Sequence, residues 1–141
     1  INSRIDELQA GFLNIKLEVL EKFTEERILQ ASYYQNNLPK VDNLILPFQE
    51  KASNSVFHLY VIQTSERDKL QDYLNNKKIG TSIHYPIPPH LQEAYKELNF
   101  KKGDFPIAEK LANNLLSIPL YPGLKKFDQD YIIETISNYF K

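Results

Sequence analysis

Ile5, Leu8, Phe12, Ile15, Val19 and Phe23 recur at spacings of three and four, the repeat that lays one apolar stripe along a helix. Ser3 followed by Asp6 has the form of a capping box, so the helix is expected to begin at Ser3 or Arg4. Asn36-Asn37 and Pro39 are expected to end it shortly after Tyr34. A helix of about 30 residues is ~45 Å long at 1.5 Å per residue. A small domain has no core that long, so part of the stripe is expected to pack on something beyond this chain.

The 141 residues taken together are ordinary globular material, 42% apolar and 25% charged, which excludes disorder and coiled-coil composition and fits one domain. The chain has no cysteine, so disulfides, thiolate metal sites and a cysteine nucleophile are excluded. No apolar run approaches the ~20 residues of a transmembrane helix. A net charge of −1 gives no field to attract polyanions. The Lys77-Lys78, Lys101-Lys102 and Lys125-Lys126 pairs read as helix or turn boundaries. Neither nucleic acid nor membrane is expected as a partner, and a soluble, cytoplasmic protein is. There is no methionine, and the chain opens Ile1-Asn2-Ser3-Arg4, as expected of a piece of a longer protein.

Beyond the first helix, Leu44-Ile45-Leu46 suits an edge strand closed by Pro47, and Val56 to Ile62 is the clearest strand. Ser65 with Asp68 offers a second capping box, followed by a helix with Leu70, Tyr73 and Leu74 inward. Ile79 to Ile83 suits another short strand. His84-Tyr85-Pro86-Ile87-Pro88-Pro89-His90 is an extended, stiff loop, since proline fixes φ and lacks a donor. Pro89 can open a helix carrying Leu91, Ala94, Tyr95 and Leu98. Asp104 can cap the next helix, with Ile107, Leu111 and Leu115 on one face. Ser117 to Leu120 suits a strand, Pro122-Gly123 a turn, and Asp128 to Phe140 a closing helix with Tyr131, Ile132 and Ile136 inward. This order implies an α+β fold: a long N-terminal helix, then a small, mainly antiparallel sheet with helices on one face.

Few residues point to chemistry. His58, His84 and His90 lack metal-ligand spacing, and His58, mid-strand, reads as a packed core histidine. His84-Tyr85 stands where a strand enters the proline loop, a place suited to binding; equally, the prolines shape a connection and Tyr85 fills a gap. Asn2, Ser3 and Arg4 bunch at a helix start, where free N–H groups and a guanidinium suit an anion; plain capping with an exposed arginine accounts for them as well.

Four blocks stand in order: Asn2 to Ala10, Phe57 to Ile62, Gly80 to Gln92, and Gly103-Asp104-Phe105-Pro106 with Leu116 to Pro122. Together they resemble the C-terminal portion of the pyridoxal-phosphate-dependent sugar-nucleotide aminotransferases of the DegT type, over essentially the whole chain. The resemblance implies the small C-terminal domain of a fold-type I aminotransferase, with residues 1–35 an interdomain or dimer helix segment and 36–141 the small α+β domain. It implies transfer of an amino group, commonly from glutamate, to a keto sugar on a nucleoside diphosphate, by a homodimer with shared sites. Asn2 and Arg4 then take the cofactor-binding role. His84 and Tyr85 take the sugar-nucleotide contacts, and His90 joins them. The family's Schiff-base lysine belongs to the large domain, so no catalytic residue is assigned here and the chain alone is expected to be inactive. The competing reading is a stand-alone α+β ligand-binding or regulatory module without catalysis.

Overall fold

The computed structural model describes residues 4–50 and 52–141. The N-terminal stripe forms two helices, α1 (Glu7–Glu18) and α2 (Leu20–Asn37). Val19 interrupts them at φ −112° and ψ 1°, its N–H turned to the Lys16 carbonyl in a tighter i→i+3 bond. A β-branched residue has a weaker helix preference, and α1 buries no residue that would hold the axis straight. The α1 cap is Asp6 itself, whose carboxylate accepts from the Gln9 N–H at 2.8 Å; the Ser3 cap expected from sequence lies outside the described residues. The end of α2 follows from Pro39, which pushes Leu38 to extended backbone at ψ 149°.

Two strands, β1 (Tyr60–Gln63) and β2 (Leu115–Ile118), pair antiparallel with Tyr60 opposite Ile118 and Ile62 opposite Leu116. Two single-residue bridges flank them, Ile45 on Gln63 and Ser82 on Ser117. The expected strands near 44–46 and 79–83 are reduced to these bridges. β1 is shorter than the expected 56–62 run because its partner ends at Pro119, which has no N–H to continue the ladder. Phe57, at φ 46°, is already out of extended backbone. His58 consequently sits on an exposed bend and is not a core histidine.

Strand side chains alternate between faces, so Tyr60, Ile62, Leu116 and Ile118 share one, and all are buried. On that face lie Ala31 and Tyr34 of α2, Leu70 and Leu74 of α3 (Arg67–Asn76), and Ile132 and Ile136 of α5 (Lys126–Tyr139). The fold is thus the expected α+β layer, a small antiparallel sheet with helices on its core face. Tyr34 and Tyr60 meet at a ring distance of 5.0 Å, and the Tyr34 hydroxyl donates to the Pro119 carbonyl at 2.8 Å.

The remaining differences are local. Ser65 gives its hydroxyl to Asn43 Oδ1 at 2.6 Å, so α3 starts without a side-chain cap. The helix expected from Pro89 is two 3₁₀ stretches, Pro89–Leu91 and Glu93–Leu98, separated by extended Gln92. Asp104 binds the Lys101 N–H at 2.7 Å and does not cap α4 (Pro106–Asn114). Ile107 is exposed, because α4 buries only Ala112. Tyr131 is also exposed, with its hydroxyl donating to the Lys77 carbonyl at 3.2 Å.

Candidate functional site

The Ser82 bridge delivers His84 to the edge of β2. Ser117 N–H donates to the Ser82 carbonyl at 2.8 Å, and Ser82 N–H returns a bond to Ser117 at 3.1 Å. Two residues on, His84 Nδ1 and Ser117 Oγ share a hydrogen bond of 2.9 Å. His84 is half-buried, and it lines an open cleft of about 660 Å³ with Ser117, Thr81, Lys78, Tyr121 and Tyr131. Tyr85, joined to His84 by a cis peptide bond, meets its ring edge-on at 5.6 Å and is 71% exposed.

His90 is placed elsewhere. Its Nε2 lies 3.1 Å from Glu109 Oε1, with 7% and 14% of the two side chains exposed, and its ring rests 4.8 Å from Phe105. Glu109 Oε1 also accepts the Gly103 N–H at 2.7 Å. That backbone bond, opposed by desolvation and aided by His90, holds the Glu109 carboxyl below the usual carboxylate range. The hollow beside this pair, lined by Pro89, Tyr95, Leu98, Phe100 and Phe105, is apolar. Of the three substrate candidates, His84 alone lines the cleft; Tyr85 meets the His84 ring from outside that lining, and His90 is paired elsewhere.

Arg4 is exposed, ahead of α1; Asn2 lies outside the described residues. The start of α1 is a poor anion site on its own, because Asp6 already takes the Gln9 N–H and Glu7 adds a second carboxylate. A phosphate-bearing group such as pyridoxal phosphate fits Arg4 itself, whose guanidinium offers only donors and matches phosphate in a bidentate way. Among the described residues no group of three His, Asp or Glu could hold a metal ion. Nor is any helix among them long and apolar enough to cross a membrane.

Sequence reasoning missed Ser117, Thr81, Tyr121 and Tyr131 as cleft residues. Only Ser117 left a signal, as the lone polar residue between Leu116 and Ile118 in an apolar strand.

Known proteins resemble this chain in sequence and in fold. The chain is 40% identical over 135 residues to the erythromycin biosynthesis sensory transduction protein EryC1 of Saccharopolyspora erythraea, covering 96% of this chain and 37% of that protein. It is 37% identical to a dTDP-3-amino-3,6-dideoxy-alpha-D-galactopyranose transaminase of Aneurinibacillus thermoaerophilus, covering 99% and 38%. DesV of S. venezuelae, solved in complex with a ketimine intermediate, superposes with a TM-score of 0.94 at 33% identity, over 98% of this chain and 37% of that one. NtdA of Bacillus subtilis, solved with the bound cofactor PMP, superposes at 0.86 with 26% identity, over 98% and 33%. The chain therefore spans little more than a third of the length of these proteins. Residues 1–137 match the family model, and the chain belongs to the DegT/DnrJ/EryC1/StrS aminotransferase family.

Proposed function

We propose that this chain is the smaller α+β portion of a longer pyridoxal-phosphate-dependent enzyme that moves an amino group, from glutamate, onto a keto sugar carried by a nucleoside diphosphate. The observation that carries the reading is the match across residues 1–137 to an aminotransferase family in a chain about a third as long as its relatives. The exposed stripe supports it: Leu8, Phe12 and Ile15 of α1 face no partner among the described residues, as a helix between domains or subunits does. In this reading 1–35 is that interdomain or dimer segment, 36–141 is the small domain, and the enzyme works in the cytoplasm as a homodimer.

The cofactor supplies the electron sink for amino transfer. Arg4, with Asn2, contributes cation and hydrogen-bond donors to the cofactor's phosphate in a site shared between subunits. His84 and Tyr85 contact the sugar nucleotide, His84 from the cleft wall and Tyr85 as an exposed aromatic surface. His90 belongs to the same loop and contributes less directly, through the ordering of residues 89–109 by its pair with Glu109. The reactive lysine lies outside this chain, which is inactive alone.

The experiment is a pair of substitutions in the longer protein. Arg4→Ala is expected to weaken cofactor binding, read by equilibrium dialysis, and His84→Ala to raise KM for the sugar nucleotide. Unchanged values for both contradict the site assignment.

A further inference from the structure

We infer that Ser117 is a positioning residue for the sugar-nucleotide site, holding His84 as the tautomer that presents an N–H donor to the substrate. The inference rests on the reading of His84 as a substrate contact and goes one residue deeper. Ser117 is 5% exposed, so its hydroxyl has little access to water even at the cleft wall. A buried hydroxyl proton left without an acceptor is costly. Among the described residues the Ser117 side chain has one hydrogen-bond partner, His84 Nδ1 at 2.9 Å. The proton is satisfied when Ser117 Oγ donates to Nδ1, which then carries a lone pair. In the neutral ring the remaining proton sits on Nε2, because the bond made by one imidazole nitrogen decides the state of the other. Nε2–H is a donor, and the oxygen-rich surface of a sugar nucleotide consists largely of acceptors.

The backbone reinforces the arrangement. The two bonds between Ser82 and Ser117 fix the distance from β2 to the start of the loop, so the ring is held by its Nδ1 and by its own main chain. Ser117 is at the middle of β2, opposite Val61 in the register, a position set by the sheet ladder and not by the loop. His84 is thereby oriented from a rigid element, although it stands at the mouth of a proline-stiffened loop.

The test is a double-substitution cycle in the longer holoenzyme, reading kcat and KM for the sugar nucleotide. Ser117→Ala is expected to raise KM about three- to tenfold, the loss of one hydrogen bond's net worth, with kcat changed less. Ser117→Thr, which keeps the hydroxyl, is expected to restore KM, with melting temperature measured for each variant as a folding check. In the His84→Ala background, Ser117→Ala is expected to add nothing. If Ser117→Ala costs as much with Ala at position 84 as with His, Ser117 acts through packing and the inference is overturned. If His84→Ala raises KM and Ser117→Ala does not, the tautomer claim alone falls. If His84→Ala leaves KM unchanged, the reading of the site falls and this inference falls with it.

Discussion

Arg67 of α3 reaches Ala112 at the end of α4, its guanidinium donating to that carbonyl at 3.3 Å while the residue itself is buried. Asp68 partners the same guanidinium from the solvent side. The last carbonyls of a helix lack intrahelical donors, so one arginine both terminates α4 and fastens α3 to the entry of β2. Arg67→Ala is expected to lower stability by about 1.5–3 kcal/mol, the worth of hydrogen bonds made by a charged donor. Arg67→Lys recovers little, since an ammonium lacks the planar fork. Urea unfolding midpoints of the three proteins check this.

The Glu109 carboxylate gives the region of residues 89–109 an acid-sensitive contact. Its folded pKa is depressed below its ordinary 4.5 by the Gly103 N–H and by His90. The folded state therefore favours the ionised form, and the stabilisation is complete above the unfolded value and lost as pH falls through the folded one. Glu109→Gln removes this dependence. The stability gap between wild type and the variant is expected to narrow as pH is lowered below 4.5, measured by melting at a series of pH values. Gly103 has φ +100°, a conformation L side chains rarely adopt, so Gly103→Ala is expected to loosen the same contact.

On the alkaline side the buried phenols dominate. Burial raises Tyr34 and Tyr60 well above their ordinary value of 10.0. The neutral forms favour folding, so this stabilisation is present below pH 10 and is lost as pH rises towards the folded values. Spectrophotometric titration is expected to show these two tyrosines resisting ionisation until the chain unfolds. Tyr34→Phe leaves the Pro119 carbonyl without its donor and is expected to cost about 1–3 kcal/mol.

The unpartnered stripe makes a prediction about context. Leu8, 77% exposed, and Phe12 contribute nothing to the core of this chain. Phe12→Glu is expected to change the stability of the 141-residue chain by no more than about 0.5 kcal/mol, as for a surface site, and to destabilise the longer protein clearly. Hydrogen exchange of the α1 amides is expected to be fast in the chain and slow in the longer protein. Equal rates in both remove the role assigned to residues 1–35.

The sequence made the core of this fold legible where a local period met a fully apolar contact. Leu70 with Leu74 and Ile132 with Ile136 lie on buried helix faces at spacing four, and the periodicity alone predicts them. The caps were not legible, because a serine or aspartate is one acceptor among many. Ser65 went to Asn43, 22 residues away, and Asp104 to Lys101. The extent of β1 was hidden for a similar reason: Pro119, far along the chain, sets where its ladder ends, and that leaves His58 outside the sheet. Within the site, His84 and Tyr85 stood out from the proline loop beside them. The contact of Ser117 with His84 depends on a pairing across 33 residues, which no local pattern reports.

The most direct measurement is amino transfer itself. Glutamate and a panel of keto sugars on nucleoside diphosphates are incubated with the longer protein and, separately, with the 141-residue chain, and 2-oxoglutarate is followed. The account predicts turnover on at least one sugar nucleotide by the longer protein and none by the chain. Turnover by the chain alone, or a longer protein that binds sugar nucleotide and pyridoxal phosphate yet transfers no amino group, would contradict it.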